Sequence, residues 1–208
     1  MIRLLLVRHG NTFESDQTPT QVGARTDLPL TQTGRRQAEA MARFLLSKDL
    51  RPAAIYRGPL KRQEETAELI ADPFQIVPQI APVLSEIDYG PWEGLTAEAI
   101  AAKWPEAYAL WTGRGVWPER IFGGAPPVKS LENWLRQLAE THRPGDTVLA
   151  VSSNGLIRYF YSFAKEAWNC LAETDQMETI KVKTGHFCDL LLIDGRVEVK
   201  SWNQKPIL

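Results

Sequence analysis

The stretch LLLVRHGNT, residues 4–12, sets an apolar run directly against an arginine, a histidine and a glycine. A short apolar segment, Ile2 to Val7, interrupted only by Arg3, reads as a strand buried on both faces. Such strands belong to the centre of a mostly parallel sheet. Side chains just past the carboxyl end of a central strand line the ligand crevice of such a sheet, which is where Arg8 and His9 stand. On this stretch alone, a surface arginine beside a capping histidine is an equally available reading.

The chain around it alternates strand and helix. LTQTGRRQAEAMARFLLSK turns Ala38, Met41, Ala42, Leu45 and Leu46 to one helical face, with Thr31 or Thr33 as its cap. A strand is expected around Ala53–Tyr56, then a helix with Leu60, Ala67 and Ile70 inward, then a weaker strand in FQIVPQI. Helical segments follow near Thr96–Lys103 and Glu106–Thr112. Residues 113–129 hold four glycines and three prolines among apolar residues. Together with what precedes it, 95–129 reads as an insertion or lid on a single domain spanning 1–208. Ser130 is the expected cap of a helix to His142. DTVLAVS is another buried strand, GLIRYFYSFAKEAW one helix, and TIKVKTGHFCDLLLIDGRVEVKSW strand throughout, with Asp194-Gly195 as a hairpin turn. The predicted fold is α/β: a three-layer sandwich, its mostly parallel sheet covered by helices on both faces, with an antiparallel C-terminal hairpin at the edge.

Composition narrows the setting. The 208 residues are 44% hydrophobic and 24% charged, with a net charge of −1, so no global field draws the chain to nucleic acid or anionic lipid. No apolar run approaches the roughly 18 residues of a membrane span. Cys170 and Cys188 sit in no CxxC or zinc-like spacing and read as buried apolar thiols. A cytoplasmic protein is expected, without a metal or other cofactor.

Two further segments sit at expected strand ends. GPLKRQEETAEL puts Arg62 at a helix start, and AVSSNGLIR leads a strand through small residues into a helix, whose free N–H groups suit an anion. In the order in which they occur, VRHGNT, RTDLPLTQTGRRQA, GPLKRQEETAELI, LSEIDYGPWEGL and VSSNGLIR resemble the histidine phosphatase superfamily, the phosphoglycerate mutase-like family. The resemblance covers most of the chain. It implies that fold, a small phosphorylated substrate, and His9 as a nucleophile that becomes phosphohistidine. Arg8 and Arg62 would clamp the phosphoryl group, a task that suits the arginine fork. Two cations beside His9 would also lower its pKa and favour the neutral, attacking imidazole. Glu86 stands where the general acid often lies, with Asp88 and Glu93 as neighbouring candidates. Asn11 and Thr12 would bond phosphate or substrate.

The chain departs from the family at one decisive point. The last motif normally reads Val-Ser-His-Gly-Gly, and here Ser153 and Asn154 follow Ser152. Losing a preorganised donor to the phosphoryl group typically costs roughly 10²–10³ in rate. Ser153, Asn154 or His186 are the candidate replacements; His142, in a polar connection, is expected to be solvated. The Gly-Glu-Ser element that often precedes the next helix is absent. Trp104, Trp111 and Trp117 read as packing or as a substrate platform, and Arg114, Arg120 and Lys129 as readers of an anionic tail or as solvated side chains. The expected function is therefore phosphoric monoester hydrolysis through His9. A weakened phosphate-ester-binding module is the alternative, and mutase activity ranks behind both. Oligomeric state and the identity of the substrate stay open.

Overall fold

The computed structural model describes residues 1–194 and 196–207. The chain runs β1 (Ile2–Arg8), α1 (Gln32–Ser47), β2 (Ala54–Arg57), α2 (Lys61–Ala71), β3 (Gln79–Ile80), α3 (Ala97–Lys103), α4 (Pro105–Ala109), α5 (Glu119–Phe122), α6 (Val128–Thr141), β4 (Thr147–Ser152), α7 (Asn154–Tyr161), α8 (Lys165–Glu173), β5 (Phe187–Ile193) and β6 (Arg196–Gln204). One sheet takes the order β3-β2-β4-β1-β5-β6. The first four of these strands run parallel, and β5 and β6 are antiparallel additions.

Alternation along β1 explains the two-sided burial. Leu4 and Leu6 face one cluster, with Trp92, Trp111 and residues of α6 and α7; Leu5 and Val7 face the other, with Met41 and Leu45 of α1 and Ile70 of α2. Helices therefore cover both faces. In the register, Arg8 stands opposite Ser152 and Arg57 opposite Val151. The carboxyl ends of β1, β2 and β4 thus open on one edge of the sheet.

Several local expectations are corrected. Thr31, not Thr33, caps α1, its hydroxyl accepting from Gly34 N at 3.1 Å. Helix α6 starts before Ser130, at Val128, because Pro126-Pro127 already presets the backbone for a first turn; the Ser130 hydroxyl donates back to Pro127 O. The single helix expected after β4 is two, α7 and α8. Between them the Ser162 hydroxyl bonds the Tyr159 carbonyl, offering the backbone an alternative to helix. The expected strand 74–80 shrinks to Gln79–Ile80, since Asp72–Phe74 form a 3₁₀ turn and Gln75 is left-handed. Residues 177–180 form another 3₁₀ turn, so the C-terminal strands begin only at Phe187. Ile193 pairs with Arg196 across the hairpin; of its turn, Gly195 lies outside the described residues. Cys188 is buried, but Cys170 is exposed on α8. His142 is tucked in, its Nε2 3.0 Å from the Tyr56 hydroxyl.

The glycine of the opening motif is required by space. A Cβ on Gly10 would stand 2.3 Å from Gly34 O, because the loop after β1 meets the first turn of α1 backbone to backbone. Gly10→Ala should therefore destabilise the protein by about 1–3 kcal/mol. A thermal melt should read this as a fall of several degrees, at about 2–4 °C per kcal/mol for a chain of this size; an unchanged Tm would show that the loop gives way freely.

Candidate active site

A cavity of about 840 Å³ opens at that sheet edge, within the size range of small-molecule sites. Arg8 and His9 reach it from the end of β1, Asn11 and Thr12 from the following loop, Glu86 and Tyr89 from the loop after β3, and Asn154 and Arg158 from α7.

His9 is 5% exposed. Its Nδ1 lies 2.8 Å from Gly10 O. A carbonyl only accepts, so this contact places the proton on Nδ1 and leaves the Nε2 lone pair free. Burial, and then the charges of Arg8 and Arg62, hold the imidazole pKa well below its ordinary 6.5; the Gly10 carbonyl opposes this weakly.

The two arginines differ in placement. Arg8 lines the cavity, its Nη1 donating to Val182 O at 2.6 Å. Arg62 is fully buried, with Nη1 on Thr26 O at 2.7 Å and Nη2 on Gly23 O at 3.1 Å. It therefore ties down the loop before α1 and acts on His9 through its field, from behind the cavity surface. Among the described residues neither forms an ion pair, and the Nε of each is buried without a partner. Two guanidiniums without a salt-bridge partner, balanced only in part by the Glu86 charge, draw an anion to this sheet edge.

Glu86 caps α7 from a distance. Ser153, the N-cap residue, supplies no side-chain bond to the helix, and the Glu86 carboxylate takes Gly155 N at 3.1 Å and Leu156 N at 3.0 Å instead, plus Ile87 N at 2.9 Å. Burial nevertheless raises its pKa above the ordinary 4.5, against those bonds and the two arginines. Of the three carboxylates in this loop, Glu86 is the one that lines the cavity. Asp88 is exposed and paired with Arg25, while Glu93 accepts from the Thr26 hydroxyl and steadies that loop.

The three candidate replacements for the missing histidine separate. Ser153 is fully buried beneath the cavity, its Oγ accepting from Gln63 Nε2 at 3.0 Å. Asn154 lines the cavity, and Val182 N holds its Oδ1 at 2.8 Å, which leaves the Nδ2 amide as its uncommitted end. His186 lies outside the cavity: its Nδ1 sits 3.1 Å from Asn203 O beside β6, and only its backbone touches the site, accepting from Arg8 N. That contact holds the ring at β6, outside the cavity.

The insertion contributes Ala97, Tyr108, Trp111 and Thr112 to the wall, while Trp104 and Trp117 pack in the core behind it. Arg114, Arg120 and Lys129 are exposed and do not line the cavity; Arg114 pairs with Asp175. The cations that do line it, besides Arg8, are Arg158, Lys181 and Lys183. Lys181 and Lys183 carry no sequence signal, because they fall in a segment that reads as strand. Arg158 is signalled only by standing four residues after Asn154 on a helix.

Residues 4–205 match the family model of the histidine phosphatase superfamily, branch 1. The chain belongs to the histidine phosphatase superfamily. Phosphoserine phosphatase 1 of Hydrogenobacter thermophilus is 31% identical over 166 residues, 77% of this chain and 75% of that protein. The metal-independent phosphoserine phosphatase of Arabidopsis thaliana is 34% identical over 164 residues, 76% of this chain and 66% of its own length. The mycobacterial glucosyl-3-phosphoglycerate phosphatase superposes with a TM-score of 0.81 at 24% identity, covering 97% of this chain and 98% of that one, a likeness of fold. The α/β sandwich with antiparallel C-terminal strands is thus the superfamily's architecture. Among the described residues no helix is long and apolar enough to cross a membrane.

Proposed function

We propose that this protein is a phosphoric monoester hydrolase that works through a phosphohistidine on His9. The observation that carries this reading is a buried imidazole, its Nδ1 engaged by Gly10 O, facing an anion-attracting cavity beside Arg8 and Arg62. The His9 Nε2 lone pair attacks phosphorus, and the bond to the ester oxygen breaks. Glu86, protonated, gives its proton to the leaving alkoxide. A water then attacks the phosphohistidine while the Glu86 carboxylate takes its proton, the N–P bond breaks, and inorganic phosphate leaves. Arg8, the Arg62 field and the Asn154 amide stabilise charge on the equatorial oxygens. The 95–129 insertion forms the lid that shields this chemistry from bulk water.

The test is chemical. A rapid quench with a ³²P-labelled phosphomonoester should leave acid-labile phosphate on His9 during turnover. Saturable ester binding with neither label nor release would support the second reading, a binding module, which Ser153 in the position of the family histidine favours. Transfer of the label to a second acceptor without release would mark a mutase.

The two shifted pKa values set a pH profile. His9 must be neutral, which is satisfied above its lowered pKa; Glu86 must start protonated, which is satisfied below its raised pKa. kcat/KM should therefore be bell-shaped, its acid limb set by His9 and its alkaline limb by Glu86. Glu86→Gln should remove the alkaline limb and slow hydrolysis of alkyl phosphates by roughly 10²-fold or more. It should slow an aryl phosphate less, since a phenolate leaves without a proton. An unaltered alkaline limb in the variant would take Glu86 out of the acid role.

A further inference from the structure

Arg158 is 8% exposed and lines the same cavity as His9, yet among the described residues it has no carboxylate partner. Its guanidinium lies 4.0 Å above the Trp111 ring; Nη2 reaches Trp111 O at 3.3 Å, and among the described residues Nε has no partner. One long hydrogen bond and two aromatic rings, Trp111 and, at 5.9 Å, Tyr159, offset only part of the cost of burying a cation. Glu178, whose charge favours the cation, is turned to Lys181 at 3.7 Å. Gly115 packs against the guanidinium closely enough that a side chain there would crowd it: an added Cβ would stand 2.9 Å from Nη2.

The position of the arginine on α7 gives its reach. Asn154 and Arg158 are four residues apart, hence on one helix face and about 6 Å apart along the axis. If the phosphoryl group sits by His9 and Asn154, the Arg158 fork meets a group a few bonds further along the same molecule. We propose that Arg158 receives a second acidic group of the substrate, a carboxylate or a second phosphate, held on a short carbon skeleton from the scissile ester. This rests on the reading of His9 as the phosphoryl acceptor. It makes Arg158 a specificity-determining residue, and it moves the recognition of an anionic tail from the exposed arginines of the insertion to α7.

Matched pairs of esters test it. 3-Phosphoglycerate and glycerol 3-phosphate differ by a carboxylate in place of a hydroxymethyl group; propane-1,3-diol bisphosphate and 3-hydroxypropyl phosphate differ by the second phosphate. The wild-type protein should prefer one acidic member over its neutral mate by at least about tenfold in kcat/KM, most of it in KM, the scale of a charge-assisted pair. The preferred pair names the group. In Arg158→Met that preference ratio should collapse towards one, and Arg158→Lys should recover part of it, since it keeps the charge and loses the fork. The same order should appear, without turnover, as a larger Tm rise of the wild-type protein with the acidic member than with its mate. A preference that survives in Arg158→Met, or no preference in either pair by rate and by Tm, overturns the proposal. Loss of all hydrolysis, aryl phosphate included, in the wild-type protein would overturn the hydrolase reading instead, and the Tm comparison would still decide on Arg158.

Discussion

Replacing His9 with alanine will lower turnover by on the order of 10³-fold or more, at least ~4 kcal/mol of transition-state stabilisation. No other side chain in the cavity offers a neutral nitrogen with its second nitrogen already satisfied: His142 lies behind β2 against Tyr56 and His186 against Asn203. The variant should also lose the acid-labile phosphate. Turnover within tenfold of wild type would mean that the ester is cleaved by direct water attack and that His9 is only a lining residue. The same residue carries a stability signature. Its folded-state pKa is below the unfolded value of 6.5, so below pH 6.5 the unfolded chain binds the extra proton. Stability from this group is complete above pH 6.5 and drains away as the pH falls towards the folded-state pKa, at up to ~1.4 kcal/mol per pH unit. Urea melts at pH 7.5 and 5.5 should show a smaller acid loss in His9→Gln than in the wild-type protein.

Arg62→Met should cut kcat/KM by roughly 10²–10³-fold, the cost of removing one preorganised charge from a phosphoryl site. The loss arises without direct display of the side chain in the cavity. The fork holds the carbonyls of Gly23 and Thr26, and its charge acts on both His9 and Glu86. Its field lowers both pKa values, so its removal should raise both and move the whole bell of kcat/KM to higher pH. A residue that served only as a tether would leave the bell where it is. Release of the two carbonyls should also cost about 1–3 kcal/mol, read as a lower Tm. Arg62→Lys keeps the charge but cannot bridge both carbonyls, so its profile should stay near wild type in pH while its Tm falls.

The layers were legible because local pattern and burial coincide. Leu4–Val7 and Val148–Val151 are unbroken apolar runs, the pattern of strands buried on both faces. The strand-to-helix turns that carry Arg8, Arg62 and Asn154 were legible for the same reason. Helix interruption at Ser162 and the 3₁₀ turn at Met177–Ile180 were not, because single hydroxyl bonds and long-range packing overrode a continuous apolar pattern.

Sequence by itself put a histidine and two arginines at the carboxyl ends of expected parallel strands, hence towards one crevice. Only the tertiary structure decided their surroundings: that Arg62 works from behind the cavity, that Glu86 reaches across the chain to cap α7, that the His186 ring is held at Asn203 outside the cavity, and that among the described residues Arg158 is buried without a salt-bridge partner. These are facts about groups 17 to 69 residues apart in sequence. A local pattern encodes which face of an element is buried; it carries no record of which distant polar group will meet it there.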